Sequence, residues 1–338
     1  MFHLTEAEIM ASWTVNEPIR VSVCCITYKQ EKYIAQAIES FLVQKTTFPF
    51  EIVIGEDCGG DGTLAILTEF KEHYPNIIKI ITSEHNVGAN ANLLRVFNFA
   101  KGDFIAVCEG DDYWCDVNKL QKQLDFAKKN KCSLLVHPSR VLSNGYETEI
   151  RWPCQNNFEI DYILSAKGQY APTSSYFFKR EVVKSLPVWF KDAPVGDYYI
   201  EAFASKMEGC KCINEYMSVY RLSAENSWSL NLTGNNKGTK IVKTYKKNIE
   251  SLHNLIFSMQ QHESAIKIKI SHAEYACAQG YFFNGDYDLF REHIANSNTK
   301  EWYDLFHRML FVFKDHLFLV KMIFFVKEEL KTILKRTS

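Results

Sequence analysis

Through its first third the chain alternates short apolar runs with segments whose apolar residues recur at helical spacing. "VSVCCI" (21–26) leads into "EKYIAQAIESFLVQ", where Ile34, Ala37, Ile38, Phe41 and Leu42 share one helical face. "EIVIG" (51–55) precedes "TLAILTEFKEHY", "IIKIIT" (77–82) precedes "ANANLLRVFNFA", and "DFIAVC" (103–108) precedes "NKLQKQLDFAKKN". Strands that are apolar at every position are covered on both faces, and alternation with helices makes neighbouring strands parallel. The pattern predicts an α/β domain, a doubly wound and mostly parallel sheet with helices on both faces.

The polar and Gly-rich segments "TYKQE", "EDCGGDGT", "SEHNVGAN" and "EGDDYW" all follow strands. They therefore collect at the carboxyl edge of the sheet, where open α/β folds bind ligands.

Beyond about residue 132 the alternation weakens. "CSLLVH" and "SSYFFK" read as strands, and "GDYYIEAFASKMEG" as a helix closed by Gly209. "NLTGNNKGTK" reads as a loop or boundary. This divides the chain into a domain over 1–230, with halves at about 20–120 and 130–230, and a C-terminal helical region over 240–338. In that region His307, Lys314, Lys321 and Glu328 recur every seven residues within a run rich in Phe, Leu, Ile and Val, a narrow polar stripe beside a wide apolar face. From Phe306 onward seven Lys and Arg stand against three Asp and Glu. Two readings stand: packing on the main domain or on another subunit, and a basic interfacial membrane contact.

Composition changes this picture little. Apolar residues at 46% and charged residues at 23% are ordinary for a folded protein. The 39 Lys and Arg balance 40 Asp and Glu, so bulk charge gives no support to a nucleic-acid partner. The ten cysteines include no CxxC pair, and Cys24, Cys25 and Cys108 fall inside apolar strands as small hydrophobes. The expected setting is a reducing cytoplasm, at the inner face of a membrane if the tail engages lipid. The sequon at Asn231 bears only on a secreted protein. "MFHLTEAEIMASW" lacks the basic start and apolar run of a signal peptide, and no run of about 18 uncharged apolar residues predicts a spanning helix.

Two loops carry candidate chemistry. In "EDCGGDGT" Gly59, Gly60 and Gly62 permit a tight turn, and Asp57 and Asp61 can accept hydrogen bonds from a ligand. Taken alone, this stretch is better explained as a polar loop with a helix-capping Asp or Thr. No GxGxxG follows the first strand, so the dinucleotide fingerprint is absent. "CEGDDYW" ends a buried strand on Glu109, Asp111 and Asp112. Like charges this close repel unless a cation sits among them. Asp111 and Asp112 can hold a hard divalent ion whose remaining oxygens come from a diphosphate, and the ordinary alternative is a solvated turn with Asp112 capping the next helix.

The ordered motifs "VSVCCITYKQEKYI", "EIVIGEDCGGDGT", "EHNVGANANLLR" and "GDFIAVCEGDDYW" resemble those of family 2 glycosyltransferases, inverting enzymes with the GT-A fold. The resemblance is carried by residues 20–120, continues more weakly through "APTSSYFF", "VGDYYI" and "YRLSAENSWS", and ends near residue 230. It implies a metal-dependent transferase that moves one sugar from a nucleotide diphosphate sugar to a glycan or lipid-linked glycan. Thr27, Tyr28 and Glu31 in the first motif would belong to the donor nucleotide site, with Tyr28 by the base. Asp57 would bond the base's edge, and Asn86, Gly88 and Arg95 would shape the floor. Asp111 would contact ribose or diphosphate and, with Asp112, hold Mg²⁺ or Mn²⁺, while Glu109 takes the family's more variable first carboxylate position. Asp197, at a helix start, would be the general base that takes the acceptor hydroxyl's proton. Thr173 and Ser174 would offer hydroxyls to the acceptor, and Arg221 would meet the diphosphate late in the reaction.

The chain departs from the family at Lys29, where Asn is usual, and at Ser223, where His is usual two residues after the Arg. No QxxRW element occurs, which argues against a processive synthase. Two other functions fit parts of the pattern. A catalytically silent scaffold for polysaccharide assembly is disfavoured by the intact Asp57, Asp111, Asp112 and Asp197. A nucleotidyltransferase lacks its Gly-rich, basic loop after the first strand.

Overall fold

The computed structural model describes residues 4–143, 145–149, 152, 154, 158–222, 224–225 and 237–337. The chain divides into two compact units, residues 1–163 with 169–231, and residues 164–168 with 232–338.

In the first unit the predicted strands are β1 (Val21–Thr27), β2 (Phe50–Glu56), β3 (Ile78–Thr82) and β4 (Phe104–Val107). A two-residue β5 (Tyr113–Trp114) is followed by β6 (Leu134–Val136), β7 (Ser139–Ser143), β8 (Tyr146–Glu149), β9 (Phe177–Lys179), β10 (Cys210–Cys212) and β11 (Ser218–Arg221). Seven strands form the main sheet in the order β10-β6-β9-β4-β1-β2-β3. β1 pairs in parallel with both β2 and β4, and β2 with β3. β9 is antiparallel to β4 and β6, which makes the sheet mixed at that point. A second sheet, β5-β11-β7-β8, has no counterpart in the sequence reading, because its strands are short and β8 is exposed at all four positions.

The helices of this unit are α1 (Glu6–Met10), α2 (Ile34–Leu42), α3 (Thr63–His73), α4 (Ala89–Phe99), α5 (Lys119–Lys129), α6 (Ile160–Ser165) and α7 (Asp197–Glu208). Val21, Val23 and Cys25 of β1 join Ile52 and Ile54 of β2 in a core closed by residues of α2, α3 and α5. The opposite face takes α4: Gly55 of β2 lies against Asn92 and Val96, and the Asn92 amide donates to Gly55 O at 2.8 Å. Both faces being covered explains the uninterrupted apolar strands. Burial pushes the Cys24, Cys25 and Cys108 thiols up, so they stay protonated.

Three expectations change. Cys154 and Cys212 form a disulfide, with Cα atoms 5.4 Å apart, where the sequence had suggested reduced thiols. The two lie 58 residues apart in the chain, so no spacing motif announces the pair. "TSS" (173–175) is a single 3₁₀ turn, and the strand begins only at Phe177. The "GTK" that closes the predicted loop belongs to the helix Lys237–Ser258, while Asn231 and Ser223 lie outside the described residues.

The second unit is helical: Lys237–Ser258, Glu263–Asn284, Tyr287–Asn296, Leu305–Val312 and Leu317–Thr337. Its core includes Tyr275, Phe290, Ile294, Leu310, Val320 and Phe324. The seven-residue polar stripe does not run along one helix, because one helix ends at Val312 and the next begins at Leu317. His307 is fully buried, its Nε2 2.8 Å from Ser297 Oγ, and burial holds it neutral with a pKa of about 4. Among the described residues no helix is long and apolar enough to cross a membrane.

Candidate functional site

The loops after β1 and β2 are locked together by reciprocal hydrogen bonds. Glu31 Oε2 accepts from Gly62 N at 2.7 Å, Asp61 accepts from Glu31 N at 3.2 Å, and Thr63 Oγ1 accepts from Gln30 N at 3.0 Å. Glu56 tightens the same turn by accepting from Cys58 N and Gly59 N. Two residues here have left-handed backbones, Lys29 at φ 56° and Cys58 at φ 56°. Asn tolerates that conformation better than Lys, which is a physical reason for the family's usual Asn at position 29. Lys29 Nζ lies 5.3 Å from the ring centroid of Tyr28, which is 37% exposed and available to a planar ligand. Thr27 is buried and its hydroxyl has no hydrogen-bond partner.

Asp57, also buried, accepts from Ser83 Oγ at 3.1 Å, Val87 N at 2.8 Å and Gly88 N at 2.9 Å. These three bonds hold the segment 83–88 against the end of β2 and leave the carboxylate about one of its roughly four acceptor sites. Arg95 reinforces that segment by donating to Thr82 O and to Asn92 Oδ1. Asn86 is exposed on it.

The acidic turn closes onto β11. Gly110 N donates to Ile26 O at 3.0 Å, and a Cβ at Gly110 would meet Gln30 Oε1 at 2.5 Å and Ile34 Cδ1 at 2.9 Å, so a larger residue would displace both side chains. Arg221 N donates to Asp112 Oδ1 at 2.8 Å, and the guanidinium reaches Asp111 O and, at 2.7 Å, Gln36 Oε1. That guanidinium also lies over the rings of Tyr33 at 4.7 Å and Tyr113 at 5.3 Å. Arg221 thus anchors the acidic turn, beyond the late diphosphate contact expected of it.

Burial raises all three carboxyls, and repulsion from neighbouring carboxylates adds to it at Glu109 and Asp112. Glu109 is pushed up to about 8 by burial, then by Asp111 and Asp197. Burial raises Asp111, against the pull of Arg221, and raises Asp112 well above its ordinary value with Asp111 and Glu109 adding to it. The effect of Asp197 on Glu109 places the two in one electrostatic neighbourhood although they come from distant parts of the chain. Asp197 occupies the first turn of α7, with Oδ1 accepting from Tyr198 N at 2.7 Å.

The segment before Asp197 is held from α4. The Asn90 amide donates to Ala193 O at 2.8 Å and Phe190 O at 3.2 Å, and a side chain at Gly196 would collide with Asn90 Oδ1. One turn on from Asp197, Glu201 is fully buried and accepts from Tyr176 OH at 2.7 Å and Ala171 N at 2.9 Å. Burial, with Asp197 next, pushes Glu201 up to about 8. The sequence reading missed both Asn90 and Glu201; the four-residue spacing from Asp197, one turn of helix, was the available signal for Glu201.

Ser174 does not face an acceptor, contrary to the expectation for it. It is fully buried, its hydroxyl donates to Ser218 Oγ at 3.1 Å and its carbonyl accepts from Trp114 Nε1, so it offers nothing to an acceptor. Thr173 is half-buried and its Oγ1 accepts from Gln169 at 3.0 Å.

A mostly parallel sheet with a Gly-rich wall and an acidic turn at its carboxyl edge defines a GT-A-type domain. Residues 22–186 match the profile of glycosyl transferase family 2. An uncharacterized protein of Mycobacterium tuberculosis is 30% identical over 216 residues, 62% of this chain and 60% of its own length. The Escherichia coli UDP-Glc:alpha-D-GlcNAc-diphosphoundecaprenol beta-1,3-glucosyltransferase WfgD is 31% identical over 125 residues, 37% of this chain and 47% of its own. Among solved structures, Staphylococcus aureus TarS 1–349 with UDP-GlcNAc superposes with a TM-score of 0.60 at 15% identity, covering 90% of each chain. The mannosyltransferase PcManGT from Pyrobaculum calidifontis, in complex with GDP-Man and Mn²⁺, gives 0.51 at 13% identity, over 91% of this chain and 87% of that one. These two likenesses show the fold.

Proposed function

We propose that the protein is an inverting glycosyltransferase that moves one sugar from a nucleoside diphosphate sugar to a hydroxyl of a glycan or lipid-linked glycan. The observation that carries this reading is the gathering of Glu109, Asp111 and Asp112 with Asp197 at the carboxyl edge of the sheet, their charges offset on the protein side by Arg221. Crowded carboxyls, Asp112 buried and Glu109 and Asp111 half-buried, whose ionisation is opposed in this way suit a site completed by a cation.

The residues fit Mg²⁺ or Mn²⁺. Among the described residues no three His, Cys, Asp or Glu side chains form a ready-made cage. The ion would therefore take Asp112 and Asp111 and complete its shell with diphosphate oxygens and water, as small hard cations do. When bound it would neutralise the charge that develops on the departing diphosphate.

The chain's own residues do the rest. The wall of Thr27, Tyr28 and Glu31 with Asp57 and Gly88 receives the nucleoside. Asp197 takes the proton from the acceptor hydroxyl as its oxygen bonds to the anomeric carbon, and the bond from that carbon to the diphosphate breaks on the opposite side. Arg221 holds the acidic turn in place. The diphosphoundecaprenol acceptor named for WfgD supports the lipid-linked class. Asp197→Asn should abolish turnover and keep donor binding; a variant that retains turnover contradicts the assignment of the base.

A further inference from the structure

The helix Leu317–Thr337 is apolar on two sides. Val320, Ile323 and Phe324 pack into the core of the second unit. Phe318, Leu319, Met322, Phe325, Val326 and Leu330 lie outside it, with Phe318 73% and Phe325 68% exposed. At about 100° per residue these six fall on one arc centred away from the packed side, interrupted by the exposed Glu329. Isolated exposed apolar residues need no explanation, whereas two phenylalanines and four aliphatic residues on one helical face do.

We propose that this face docks on an anionic lipid surface, the helix lying along the membrane with its exposed arc among the acyl chains. The charge of the region selects this occupant. From Phe306 onward seven Lys and Arg stand against three Asp and Glu, in a chain whose net charge is −1. A second copy seated on the same face would set this positive excess against itself, while acidic headgroups complement it. Lys321 is exposed and flanks the arc, where a long side chain keeps its ammonium at headgroup level while its stem lies on apolar surface. The helix is too polar to span, which leaves the interfacial orientation. The inference does not depend on the donor-site chemistry and stands or falls separately from it.

Flotation of the full chain with phosphatidylcholine vesicles, with and without phosphatidylglycerol, tests the proposal. The protein should float with the anionic vesicles, remain in solution with the neutral ones, and be released as salt rises. The Phe318→Glu/Phe325→Glu double variant should bind the anionic vesicles at least about tenfold more weakly, and Lys321→Glu should weaken binding by a smaller factor. Both substitutions fall on exposed positions, so the circular dichroism and nucleotide affinity of the wild type should persist. Wild-type protein that ignores both vesicles, or binds them equally, overturns the proposal. So does a wild-type dimer in sedimentation that the double variant dissociates, because the face then belongs to a second copy.

Discussion

The backbone N–H of Arg221 donates to Asp112 Oδ1 at 2.8 Å, which makes the end of β11 a support for the acidic turn at the end of β4. The same residue's guanidinium bonds Gln36 Oε1 and Asp111 O and lies over the rings of Tyr33 and Tyr113. An ammonium cannot reproduce a planar fork that makes both bonds while covering two rings. Arg221→Lys should therefore lower stability by about 1–2 kcal/mol in urea unfolding and weaken nucleotide binding. Unchanged unfolding and unchanged affinity would show that the guanidinium carries no weight there.

The raised carboxyls give the fold a pH dependence of definite sign. Glu109, held at about 8 when folded against an ordinary 4.5, keeps a proton that the unfolded chain releases between those values. Stability contributed this way is complete below about pH 4.5 and is lost as pH rises toward 8, by up to about 1.4 kcal/mol per pH unit. Glu201, also at about 8, acts in the same direction. Thermal unfolding in chelator should show Tm falling from pH 5 to pH 8, and Glu109→Gln should reduce the slope. A Tm that rises across this range contradicts the assignment.

Glu201 ties α7 to the segment 170–176 through Tyr176 and Ala171. Removing it strands the buried amides of Tyr170 and Ala171 and leaves the Tyr176 hydroxyl only its long bonds to Ala171 O and Gln169. Glu201→Ala should cost about 2–4 kcal/mol by chemical denaturation, and Tyr176→Phe about 1 kcal/mol. An effect below about 0.5 kcal/mol for Glu201→Ala, the range of ordinary surface substitutions, would refute this role.

Gly196 and Asn90 are fitted to each other just before Asp197. A methyl group at Gly196 displaces the Asn90 side chain and with it the start of α7. On the proposed mechanism Gly196→Ala should lower kcat by about 10²-fold while leaving donor affinity within about twofold, since a small misplacement of a catalytic group is costly. Loss of donor affinity in step with kcat would point instead to collapse of the whole edge.

Much of this was legible in the chain because periodicity reports burial. β1 to β4 and the helices after them follow from apolar runs and helical spacing, and the polar loops then had to meet at one edge. What escaped was set by tertiary contacts. β9 is three residues long and inserts antiparallel between β4 and β6, which no local pattern dictates. Ser174 looked like an acceptor hydroxyl, yet Trp114 and Ser218 bury it. The bonds that Asp57 accepts from Ser83, Val87 and Gly88 come from a loop many residues away, which no local pattern announces. His307 looked like part of a polar stripe, and the end of its helix at Val312 turned it inward.

The measurement that bears most directly on the donor site is calorimetric binding of UDP, GDP, TDP and CMP, with and without Mn²⁺, to the wild type and to Asp112→Asn. The account predicts that one nucleoside diphosphate binds the wild type only when Mn²⁺ is present and that Asp112→Asn abolishes this binding. Absence of binding in every condition, or equal binding by the variant, would contradict a metal-diphosphate site at Asp112.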